Sequence, residues 1–65
     1  MKELSESKQY VFYDGLIGKI ISETKFYIDL ELPDRETFSI MRSQLKYATK
    51  SQISEWKIQA FIERI

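Results

Sequence analysis

Along residues 25–40, KFYIDLELPDRETFSI, the apolar Phe26, Ile28, Leu30 and Leu32 alternate with Tyr27, Asp29 and Glu31. A period of two predicts a half-buried β-strand whose inner face carries the first set. The PDRE run at 33–36 predicts a turn, because proline presets φ at the entry and aspartate bonds its own local backbone. Residues 37–41 return as a second strand with Phe38 and Ile40 turned inward. Upstream, Tyr10, Val11, Phe12 and Tyr13 form a short β-prone run closed by Asp14-Gly15, a dipeptide that adopts positive φ at low cost. LIGKIIS at 16–22 reads as a further strand, with Gly18 marking a bulge or a close backbone approach. Ser22, Glu23 and Thr24 supply the loop that leads on to Phe26.

The remaining segments carry weaker periodicity. RSQLKYA at 42–48 is too short for a stable isolated helix and reads as a helical or 3₁₀ turn anchored by Leu45. The tail has two readings. TKSQ at 49–52 has the form of a capping box opening a helix, yet on a helical wheel Ile58, Phe61, Ile62 and Ile65 fall opposite Ile53, Trp56 and Ala60. A surface helix needs one apolar face, and this one would have two. As a strand, Trp56, Ile58, Ala60 and Ile62 line one side and Lys57, Gln59 and Glu63 the other, with Phe61 the exception. The strand is the preferred reading. The helix leaves the alternative of an α+β fold, an antiparallel meander with a C-terminal helix.

Four or five short strands without a long helix predict an all-β fold, a small five-stranded barrel with a short helical turn before its last strand. Closure would also protect the sheet edges. The order GLIGKII, KFYIDLEL, ETFSI, RSQL, EWKIQAFI resembles the SH3-like small barrels, including the KOW-type modules of ribosome- and polymerase-associated proteins, over residues 10–62. The resemblance implies a binding module that engages peptides, proteins or RNA through loops and one barrel face. It gives no activity of its own.

Size and composition narrow the function. The 65 residues form one domain, 9–65, preceded by a flexible segment at 1–8. A chain this short buries a thin core and leaves little room for an enclosed active site. With 43% apolar and 14% aromatic residues it has enough for a packed interior. It contains neither cysteine nor histidine, so nucleophile–histidine pairs, disulfides and thiolate metal sites are excluded. Its two glycines introduce no phosphate cradle. The acidic residues around the 33–36 turn lack calcium-loop spacing. The expectation is therefore a non-enzymatic protein with no cofactor and no resident metal. No apolar run is long enough for a membrane span and MKELSESKQY lacks the core of a secretory signal, which makes a cytoplasmic location the default and a membrane partner unexpected.

Ten basic residues balance ten acidic ones, so any electrostatic recognition must be local. Residues 29–36 carry Asp29, Glu31, Asp34 and Glu36 against Arg35, whereas residues 42–57 carry Arg42, Lys46, Lys50 and Lys57 against Glu55. Tyr27 stands beside the acidic set on the outer strand face. This is the chemistry of a protein-binding module of accessory or inhibitor type, with Tyr27, Asp29, Glu31, Asp34 and Glu36 contacting a basic protein surface. The alternative is RNA or single-stranded DNA binding, with Arg42, Lys46, Lys50 and Lys57 tracking phosphates and Tyr47, or Trp56, stacking on bases. Neutral overall charge weighs against it, since nucleic-acid-binding relatives are basic. Edge-mediated self-association is compatible with either.

Overall fold

In the computed structural model residues 8–65 are described; all but the last residue of the expected N-terminal segment lie outside them. Four antiparallel strands, β1 (Tyr10–Tyr13), β2 (Leu16–Glu23), β3 (Tyr27–Glu31) and β4 (Thr37–Met41), form a meander in the order β1-β2-β3-β4. A 3₁₀ turn at Arg42–Gln44 follows, then helix α1 over Lys50–Glu63.

Each hairpin follows from its turn chemistry. Asp14 and Gly15 both take positive φ, 52° and 79°, and connect the paired residues Tyr13 and Leu16 in a two-residue loop. This backbone twist matches that of the flanking strands. Between β2 and β3, Thr24 holds the loop: its N–H donates to the Tyr27 carbonyl at 2.8 Å and its hydroxyl oxygen accepts from the Tyr27 N–H at 3.1 Å. At the third turn the Asp34 carboxylate accepts the Glu36 N–H at 3.0 Å, as expected for aspartate there, and Arg35 takes the positive φ of 76°.

Cross-strand register sorts the side chains onto two faces. Val11, Ile28, Leu30 and Ile40 form one buried cluster, joined by Tyr13, Ile20, Phe38 and Leu45. Tyr10 lies on the other face, where it packs with Phe12 and Ile17 against Ala48, Ile53, Trp56 and Ala60. Gly18 is needed for packing, because a Cβ there would lie 2.8 Å from the Leu30 Cβ. The bulge expected near Gly18 instead interrupts pairing between Ile20 and Ser22. β3 begins at Tyr27, and Phe26 is turned out into the loop at 66% exposure rather than lying on the inner face.

The closed five-stranded SH3-like barrel is overturned. The sheet is open and has four strands, and the segment read as a fifth strand is α1. The structure is the α+β alternative, a meander with a C-terminal helix. The capping box forms as its residues predict: the Thr49 hydroxyl oxygen accepts the Gln52 N–H at 3.2 Å and the Gln52 side-chain oxygen accepts the Thr49 N–H at 2.9 Å. One short contact replaces a closing strand. Residues 46–48 lie against the outer edge of β1, where Phe12 N–H donates to the Lys46 carbonyl and Ala48 N–H to the Tyr10 carbonyl, both at 2.9 Å, around a single Val11–Tyr47 bridge. Leu45, at the end of the expected 3₁₀ turn, packs on the Val11 cluster on the way.

Candidate functional site

β3 presents Tyr27, Asp29 and Glu31 on the sheet face opposite Ile28 and Leu30. That is also the face on which α1 packs. The helix covers the part of it around Tyr10, Phe12 and Ile17 and reaches β3 through Trp56, whose indole N–H donates to the Glu31 carbonyl at 3.0 Å. Arg64 lies over the Trp56 ring, 5.5 Å from its centroid, donates to the Pro33 carbonyl at 3.1 Å and pairs with the Glu31 carboxylate at 3.4 Å. Glu31 is thereby committed to an internal contact. It joins sheet to helix.

Farther along the same face the sheet is uncovered. Tyr27 pairs directly across from Met41, and the two are 51% and 52% exposed. Phe26 adjoins them from the loop, with the Lys25 ammonium 5.7 Å from its ring centroid. Lys25, Phe26, Tyr27, Met41, Arg42 and Ser43 line a shallow depression here. Asp29 follows Tyr27 on the face, paired with Ser39, whose hydroxyl donates to its carboxylate. Of the five acidic-face residues expected to act together, Tyr27 and Asp29 share this open area. Asp34 and Glu36 are exposed in the β3–β4 turn, beyond Glu31.

Asp34 belongs to a second concavity, a groove of about 280 Å³ between the β1–β2 and β3–β4 turns and α1. Leu16, Leu32, Pro33 and Trp56 supply apolar lining, and Asp34, Glu55 and Glu63 supply carboxylates. Of these, the sequence singled out Asp34 for the acidic face and Trp56 for base stacking. The others depend on the helix being present.

The basic set is distributed over the 3₁₀ turn, the segment along β1 and α1. Arg42 donates to the Glu23 carboxylate at 2.7 Å and to the Thr24 carbonyl at 3.3 Å, which ties it to the β2–β3 loop. Lys46 and Tyr47 are exposed on the segment along β1, Lys50 begins α1, and Lys57 lies at its middle. Trp56 is 5% exposed and meets Tyr10 edge-on at 5.3 Å, so its ring is not presented to a base. Phe26 and Met41 were missed as surface residues for one reason: strict alternation assigns Phe26 inward, and Met41 looks inert until β4 pairs it with Tyr27.

Among the described residues no three carboxylates converge as a metal site, and no helix is long and apolar enough to cross a membrane. Comparison with family models, with curated proteins and with solved structures finds no match.

Proposed function

We propose that this chain is a non-enzymatic protein-binding module, an accessory or inhibitor domain, that meets its partner with the uncovered sheet area around Tyr27. The observation that supports the reading is the Tyr27–Met41 pair, two large side chains each about half exposed in direct register, with Phe26 beside them. Tyrosine contributes contact area at low rotamer cost, and tyrosine and methionine are enriched where proteins meet. Asp29 on the same face, with Asp34 and Glu36 in the turn at the far end of the same hairpin, favours a partner carrying lysine or arginine at the rim. Glu31 acts indirectly, by holding α1 through Arg64.

The test is capture of a partner on the immobilised chain from nuclease-treated lysate, followed by titration of the purified partner. Tyr27→Ala combined with Met41→Ala should weaken binding at least tenfold, and Asp29→Lys should slow association. Unchanged affinity in the double variant would remove the proposal. The alternative, RNA or single-stranded DNA binding through Arg42, Lys46, Tyr47, Lys50 and Lys57, has less support, because Arg42 is ion-paired and Trp56 is internal. It would appear in the same experiment as nucleic acid retained without nuclease and lost steeply with salt.

A further inference from the structure

The outer face of α1 is the most apolar surface feature outside the Tyr27 area. On α1, Ile58, Phe61 and Ile62 fall at i, i+3 and i+4 and are 58%, 71% and 55% exposed, and Ile65, just past the end of the helix, is 89% exposed. They lie directly opposite the buried Ile53, Trp56 and Ala60. This is the seam spacing of a helix that packs against another helix. A helix carrying both a core face and a full apolar outer stripe has more apolar surface than its own domain covers.

Charge along the two flanks of the stripe indicates what covers it. Lys50, Lys57 and Arg64 follow one flank at intervals of seven, and Arg64 is turned toward its own sheet by Glu31 and the Pro33 carbonyl. The other flank carries Glu55 and then Gln59. When two copies of one helix meet face to face, a two-fold axis perpendicular to them makes the helices antiparallel and sets basic flank against basic flank. A two-fold axis along the helices makes them parallel and sets the basic flank of each against the acidic flank of the other. With Ile58 at the first seam position and Phe61 at the next, Lys50 of one copy comes opposite Glu55 of the other, five residues on, and the contact occurs twice.

We propose that two copies of this chain associate through the outer face of α1 with their helices parallel, independently of the Tyr27 surface. The stripe offers on the order of 400 Å² per copy, about half of what a standard stable interface uses. The dimer is therefore weak, dissociating in about the 10 µM to 1 mM range.

Sedimentation equilibrium up to about 1 mM tests association, and the cysteine-free sequence allows the orientation to be tested directly. Ser54→Cys, one heptad before Phe61 on the same face of α1, is made as a single variant and oxidised with glutathione disulfide. A parallel pair brings position 54 against itself, so the variant forms a covalent dimer. An antiparallel pair centred on Phe61 sets the two copies of position 54 about four helical turns apart, and a variant that associates without cross-linking would overturn the proposed orientation. Phe61→Lys should weaken association at least tenfold while leaving the circular dichroism spectrum unchanged, since the ring lies outside the core. Glu55→Lys should weaken it, and adding Lys50→Glu should restore it. A wild-type chain monomeric at every concentration overturns the proposal and leaves the stripe to a different protein.

Discussion

Replacing Trp56 tests the contact that makes this fold α+β. The indole is 5% exposed, lies edge-on to Tyr10 at 5.3 Å, supports the Arg64 guanidinium and donates to the Glu31 carbonyl at 3.0 Å. Trp56→Phe retains an aromatic ring but deletes the donor, a net loss of about 1 kcal/mol. The smaller ring leaves a void worth roughly another 1 kcal/mol. A total near 2 kcal/mol lowers Tm by about 10 °C in a domain of this length. Trp56→Ala removes the ring altogether and costs about 3–5 kcal/mol. Against a total stability of roughly 3–10 kcal/mol for a chain this size, that removes from about a third to all of the margin. Thermal melts followed by far-ultraviolet circular dichroism give both numbers. Trp56 is the single tryptophan, so its fluorescence reports the site without interference. The wild-type emission should be blue-shifted and protected from iodide. A Trp56→Phe shift under about 2 °C, together with iodide quenching as efficient as for free tryptophan, would refute the packing of α1 on the sheet.

Two further substitutions test the sheet and the helix start. Gly18→Ala should lower stability by about 1–3 kcal/mol, because the added methyl meets Leu30 at its Cβ, an atom that no rotamer change moves; a raised melting temperature would show that β2 and β3 are not this close. Thr49→Ala removes the capping oxygen and should cost about 1 kcal/mol in urea denaturation, with Thr49→Ser recovering most of it. An alanine variant as stable as wild type would show that the cap contributes nothing to where the helix begins.

Much of the meander was legible because its information is local. Asp14-Gly15 specifies a tight turn through the two backbones that tolerate positive φ, and the structure uses both. The alternation along β3 places Ile28 and Leu30 inside and Tyr27 and Asp29 outside, since successive side chains in a strand must point to opposite faces. The capping box at Thr49 and Gln52 needs no distant partner either. β3 is one residue shorter at each end than its alternation suggested: Leu32 enters the next turn, and the Thr24 loop takes Phe26, so a residue that looks like core becomes surface.

The tail was different in kind. Residues 56–63 satisfy a period of two with Phe61 the exception, and as a helix the segment shows two opposed apolar stripes, so periodicity within the segment favours the strand and misleads. Tertiary contacts select the helix. The Glu31 carbonyl accepts the Trp56 N–H, Arg64 reaches both Pro33 and Glu31, and residues 46–48 already lie along the edge of β1 where a closing strand would have run. The same contacts decided the candidate surfaces, because burying Trp56 beneath α1 withdraws it from the basic segment and commits Glu31. By itself the sequence determined the Asp14-Gly15 and 33–36 turns and the inner and outer residues of β3, and it carried the capping box of the last element without choosing the helix that the box opens. Only the folded chain determined that this element is a helix and which of its apolar faces is core, because that choice depends on hydrogen-bonding partners more than twenty residues away.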